Sequence, residues 1–126
     1  MSYQKAMPEN KRKVGAQAEK LAEEYLTASG MKIVARNFRN RQGEIDIIGY
    51  HEGYLVFVEV KYRASLKNGN PEEAVGASKQ KNICKVADYY RYTHKVPLSM
   101  PVRYDVVAVL GEEVRWLQNA FPHVYR

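Results

Sequence analysis

Asp46, Glu59 and Lys61 are charged residues set inside two apolar, β-branched runs, GEIDIIGY (43–50) and YLVFVEVKYR (54–63), joined at His51-Glu52-Gly53. Such runs read as adjacent, largely buried strands of a hairpin. Charged groups are rarely buried unless paired or bound to a metal. A two-residue turn at Glu52-Gly53 sets His51 opposite Tyr54 and, counting outward, Asp46 opposite Glu59. A four-residue loop gives the same register, whereas a three-residue loop sends the two carboxylates to opposite faces. Cross-strand partners share a face, with Cβ atoms roughly 4.5–5.5 Å apart. Lys61, two positions along, shares the Glu59 face. Two facing carboxylates destabilise a hairpin unless a cation joins them or one takes up a proton. A hard divalent ion, Mg²⁺ or Mn²⁺, accepts one or two carboxylates and completes its shell with water, substrate phosphate or a backbone oxygen such as that of Val60. A lysine beside it can orient or deprotonate a water or stabilise developing negative charge. These parts suit hydrolysis of a phosphodiester. The competing reading is an ion pair between Lys61 and one carboxylate on a partly solvated face.

An Asp on one strand followed by Glu-x-Lys on the next, here Glu59-Val60-Lys61, resembles the PD-(D/E)XK nuclease superfamily, which includes restriction endonucleases and Holliday-junction resolvases. The wider text, GAQAEKLAEEYL, IVARNFR, GEIDII, FVEVKYR and RYDVVAV, resembles the bacterial YraN-type family from about Lys13 to about Leu117. Ile45 stands where the short superfamily motif has Pro. The resemblance implies a restriction-endonuclease-like α/β fold with an αβββαβ core. It also implies a Mg²⁺- or Mn²⁺-dependent nuclease, with Asp46, Glu59 and Lys61 catalytic and Asp46, Glu59 and the Val60 carbonyl on the metal.

Around these residues the elements follow from periodicity. Val14, Ala18, Leu21, Ala22, Tyr25 and Leu26 recur at helical spacing, and Gly30 is a plausible stop, so ~10–29 reads as an amphipathic helix started by Pro8 or Asn10. Residues 1–9 carry little pattern and are expected to be mobile. Glu19 lies at the edge of the buried stripe, beside Gly15 and Ala22. By position alone it is a surface glutamate or a site residue; by the resemblance it matches a first-helix acid that reaches the metal. MKIVARNFR (31–39) reads as a strand. Arg36, Arg39 and Arg41 cluster before the hairpin, as phosphate clamps or as a solvated edge. Glu44 falls opposite Lys61 in the hairpin register, so a structural Glu44–Lys61 pair competes with a catalytic Lys61. After a polar loop (64–70), Asn70-Pro71-Glu72-Glu73 looks like a helix start. Gly76 interrupts it and Ser78 offers a second cap for a helix over ~78–93, buried through Ile83, Val86, Ala87 and Tyr90. Lys79, Lys81 and Lys85 lie near that helix's start and outer face. A helix N-terminus attracts anions, and the resemblance places Gln80 near the active site. Two further strands, 103–110 and ~114–118, complete an αβββαββ order. Asp105 reads as structural, paired with a neighbouring Arg or Lys.

The length, 126 residues, suits one domain, 1–126, able to bury a core without disulfides. A net charge of +6 favours an anionic partner, and nucleic acid is expected through Arg39, Arg41, Arg63, Lys79 and Lys81; the resemblance to the nucleases implies DNA rather than RNA, a choice the residues themselves do not make. Cys84 is the single cysteine, which excludes an internal disulfide and suits the cytoplasm. No run is long enough to span a membrane, so no membrane partner is expected. His51, His94 and His123 lack metal-ligand spacing, and His51, at the turn, is expected to be solvated. A chain this short calls for a homodimer or a partner if its specificity is elaborate. Three functions compete: a metal-dependent nuclease, a nucleic-acid-binding protein of the same fold with little or no catalysis, and an interaction domain whose carboxylates form internal salt bridges. The intact Asp46, Glu59 and Lys61 set favours the first.

Overall fold

Glu52 and Gly53 both have positive φ, 51° and 85°, so the chain reverses in two residues. That turn matches the twist of the strands it joins. It connects β2 (Gly43–His51) to β3 (Tyr54–Arg63), and His51 pairs with Tyr54 as the two-residue reading requires. The computed structural model describes the backbone of residues 3–63 and 75–124, with side chains from residue 12 onward within those ranges. The expected 64–70 loop and the helix start at Asn70-Pro71 lie outside the described residues. The remaining elements are α1 (Tyr3–Ala28), β1 (Lys32–Asn40), α2 (Ala77–Thr93), β4 (Val102–Leu110) and β5 (Glu113–Leu117). The sheet order is β1-β2-β3-β4-β5, antiparallel except for the parallel β3–β4 pair. Parallel neighbours need a crossover, and α2 lies on it. This mixed α/β architecture is that of a restriction-endonuclease-like αβββαβ core with β5 added.

Each helix covers one face. Ala18, Ala22 and Leu26 of α1 pack on Ile47, Val58, Val107 and Val109. Ile83, Val86, Ala87 and Tyr90 of α2 pack on Ile48, Phe57, Tyr104 and Val106. Tyr25, part of the first apolar stripe, sits at its rim and meets Trp116 edge-on, ring centroids 6.3 Å apart. Two boundaries differ from expectation. α1 begins at Tyr3, well before Asn10. α2 is capped by Gly76, with Ser78 already inside the helix and no side-chain cap. At Gly49 the start of β1 comes so close that a Cβ would stand 2.8 Å from the Lys32 carbonyl oxygen. Only glycine avoids that overlap.

His51 is buried, contrary to the solvated position expected for a turn residue. Its Nδ1 lies 3.0 Å from an Arg103 guanidinium nitrogen. Arg103 in turn donates to Asp105 at 2.9 Å, and Asp105 also accepts from Trp116 Nε1 at 2.8 Å and the Asn119 N–H at 2.9 Å. Strand alternation could not reveal this burial, because Arg103 of β4 and Trp116 of β5 cover His51 from strands beyond its own neighbours. Asp105 is structural, as its sequence position suggests. Cys84 is a core residue whose thiol burial pushes upward.

Candidate active site

The sheet splits at Asp46. The β2–β3 ladder runs from His51/Tyr54 to Ile47/Val58 and ends there. Beyond it β2 goes on pairing with β1 as far as Asn40/Gly43, while β3 goes on with β4 as far as Arg63/Leu110. Asp46 and Glu59 therefore follow the expected register up to the gap but are not a ladder pair. Asp46 instead turns its Oδ2 to accept the Val60 N–H at 2.8 Å. The face alternation breaks at the same place. Ile45 and Ile48 both pack on the α2 side while Ile47 packs on the α1 side. On the neighbouring strand, Arg36 reaches Glu23 of α1 whereas Phe38 meets Tyr90 of α2 edge-on. Between them Asn37, across from Asp46, has φ 50°. Counting by twos assumes an unbroken pleat, and a residue in the left-handed region breaks it.

Charge gathers at this gap. The Glu59 side chain is only 5% exposed and forms ion pairs with Lys61 at 3.5 Å and with Lys79 from the first turn of α2. Burial and then the charge of Glu59 push the Asp46 carboxyl up to about 8, against the Val60 N–H, and Glu19 and Glu44 add to the rise. Burial holds the Lys61 ammonium below the usual lysine range, and Glu59 only partly offsets it. For Lys79 burial opposes the charge, but its bond to Glu59 prevails and the ammonium is raised. Glu19 approaches from the α1 side, its Oε1 accepting from Asn37 Nδ2 at 3.2 Å. Among the described residues no three His, Cys, Asp or Glu side chains stand together as a ready metal cage. The donor set at the gap is two carboxylates, Asp46 and Glu59, plus the Val60 backbone. Hard oxygen donors in that number fit Mg²⁺ or Mn²⁺, which retain water and take phosphate oxygens as the remaining ligands.

The other anticipated residues distribute unevenly. Gln80 donates its amide to the Val75 carbonyl at 2.9 Å and so secures the start of α2; it is Lys79, one position earlier, that reaches Glu59. Arg39 pairs with Glu44 at 3.2 Å, so the competing Glu44–Lys61 pair does not form. Arg36 is held by Glu23 at 2.6 Å. Arg41 and Lys81 are exposed, and Arg63 donates to the Tyr62 carbonyl at 3.0 Å. A cleft of about 330 Å³ between the β1–β2 turn and α2 is lined by Gln42, Glu44, Ser78, Lys79 and Asn82. A larger cavity of about 710 Å³, bordered by Val14, Leu21, Tyr62 and Val109, contains none of the charged cluster. Two residues escape a reading by sequence. Asn37 carries a faint signal, being an Asn inside a strand, and Lys79 looks from its position like a phosphate contact and nothing more.

A family model described as "Uncharacterised protein family UPF0102" matches residues 18–109, which hold Glu19, Asp46, Glu59, Lys61 and Lys79. The chain belongs to this family. UPF0102 is the YraN-type family suggested by the motifs. A UPF0102 protein of Lachnoclostridium phytofermentans is 49% identical over 112 residues, covering 89% of this chain and 95% of the relative. One from Symbiobacterium thermophilum is 47% identical over 117 residues, 87% and 97% covered. One from Shewanella oneidensis is 42% identical over 108 residues, 86% and 98% covered. The similarity to UPF0102 proteins thus extends over nearly the whole length of both chains. Among the described residues, no helix is long and apolar enough to cross a membrane.

Proposed function

We propose that this UPF0102 chain is a Mg²⁺- or Mn²⁺-dependent nuclease that hydrolyses phosphodiester bonds in DNA. The observation that carries the reading is Asp46. A carboxyl pushed up to about 8 by burial and by Glu59, at a gap in the sheet, is a group that a bound cation stabilises. Asp46, Glu59 and the Val60 carbonyl would hold the ion, with Glu19 as a further carboxylate. Such an ion, when bound, supplies Lewis-acid polarisation of a phosphoryl oxygen and a bound water of lowered pKa. Lys61, held below the ordinary lysine range, takes or holds a proton at Nζ and stabilises charge developing on the phosphate. Gln80 supports the start of α2 and so the placement of Lys79. Lys79, Lys81, Arg39, Arg41 and Arg63 contact flanking phosphates, which position a duplex without reading its sequence. The preference for DNA rests on the resemblance to restriction endonucleases and junction resolvases. A homodimer would let so small a domain engage two strands. The single cysteine suits a cytoplasmic protein.

A second reading, DNA binding with little or no cleavage, draws on the Lys79–Glu59 pair, in which an ammonium already neutralises one ligand. The two readings part on one experiment: purified wild type and Asp46→Asn are compared on linear, single-stranded and branched DNA with Mg²⁺ or Mn²⁺. Cleavage by wild type that vanishes in the variant supports the nuclease. Binding without cleavage on every substrate supports the second reading, and equal cleavage by both proteins identifies a contaminant.

A further inference from the structure

Asn37 is the residue around which the gap is arranged. It sits mid-strand in β1 with φ 50°, a conformation that Asn tolerates better than other L-residues but that a strand does not ordinarily use. On either side of it the strand changes face: Arg36 pairs with Ile47 on the α1 side, and Phe38 pairs with Ile45 on the α2 side. The residue across from it is Asp46. Its side-chain amide donates at 3.2 Å to Glu19, which belongs to the opposite layer. A single residue thus accounts for both the local reversal of the pleat and the direction of the α1 carboxylate. Strain of this kind persists where the surroundings over-determine it.

We infer that Asn37 is a positioning residue: its left-handed backbone lets Asp46 turn across the gap toward β3, and its amide holds Glu19 at the rim of the same gap, in reserve as a third carboxylate. Its relevance to a metal ion rests on the nuclease reading above. Asn37 does not touch substrate or the reacting atoms; it acts through Glu19 and Asp46. Substitution isolates the role of the amide from that of the backbone. Asn37→Gly keeps the left-handed backbone and removes the amide. Asn37→Asp keeps a side chain that tolerates positive φ but sets a negative charge against Glu19.

The test measures Mn²⁺ binding by titration calorimetry, with urea unfolding in chelator as the control for folding. Asn37→Gly should unfold at nearly the wild-type midpoint and bind Mn²⁺ about 2- to 10-fold more weakly, the worth of one hydrogen bond. Asn37→Asp should bind more weakly still. In a Glu19→Gln background, Asn37→Gly should cause no further loss, because its effect runs through Glu19. Should Asn37→Gly prove poorly folded, the comparison of Asn37→Asp with and without Glu19→Gln carries the same logic. Wild-type Mn²⁺ affinity in a folded Asn37→Gly, or losses that multiply in the double variant, would overturn the inference alone. Mn²⁺ uptake by wild type that Asp46→Asn leaves intact, or no uptake at all, would overturn the metal reading and this inference with it.

Discussion

Replacing Asp46 by Asn should stabilise the metal-free chain, by an amount that grows with pH. An ordinary Asp titrates near 3.8, whereas burial and the neighbouring Glu59 place Asp46 at about 8. Between those values the folded chain holds a proton that the unfolded chain has released, so stability falls as pH rises and levels off above the folded value. For an acid raised on folding, the penalty is absent below 3.8 and complete above about 8. At about 1.4 kcal/mol per pH unit, keeping Asp46 ionised costs on the order of 5 kcal/mol. Partial solvent contact and movement of Lys79 reduce that cost. Asn retains an oxygen for the Val60 N–H and carries no charge. Urea unfolding in EDTA, followed by the fluorescence of the single tryptophan, Trp116, gives the stability of both proteins at pH 5.5 and 8.5. Titrating groups away from the gap cancel in the difference. The variant should gain roughly 1.5–3 kcal/mol on wild type between the two conditions, at unchanged denaturant slope. An offset that is the same at both pH values would show that Asp46 is not a raised carboxyl, and the electrostatic case for a cation at the gap would fall with it.

Three further outcomes are expected. Asp105→Ala should destabilise the fold by about 3–5 kcal/mol, measured by denaturant unfolding, because it leaves the Arg103 guanidinium buried without its carboxylate. Gly49→Ala should cost about 1–3 kcal/mol in the same assay, since the Met31 side chain can move away from the added methyl but the Lys32 carbonyl cannot without shifting the strand. If the chain binds duplex DNA through its exposed cations, removing Arg41 or Lys81 should flatten the dependence of log affinity on log salt by about 0.9 for each phosphate no longer neutralised, measured by fluorescence anisotropy.

Most of the fold is legible in the sequence because its signals are local. Gly53 after Glu52 marks a two-residue reversal, the β-branched runs mark strands, and the apolar stripes of α1 and α2 name the residues that pack on the two faces. The hairpin register is readable for the same reason, and it brings Asp46, Glu59 and Lys61 into one neighbourhood. What stays hidden are departures from periodicity and interactions between distant segments. The split after Ile47/Val58 depends on which strand each edge prefers beyond the hairpin, which no alternation of side chains encodes. The reach of Lys79 to Glu59 depends on how α2 lies over the sheet. His51 is buried by Arg103 and Trp116, residues some fifty or more positions away in the chain.

The bond from the Val60 N–H to Asp46 Oδ2 has a consequence for observing this protein at work. A main-chain amide on β3 is held by a titratable side chain where the ladder to β2 has stopped. Its nitrogen and proton chemical shifts therefore respond to whatever that side chain carries: a proton, a negative charge or a cation. One labelled valine becomes a native spectroscopic gauge of the gap, readable by NMR without dye, substrate or mutation. A proton titration should move the Val60 resonance with a midpoint at about 8. A metal titration should move the same resonance along its own path, so that a single peak distinguishes protonation from ion uptake.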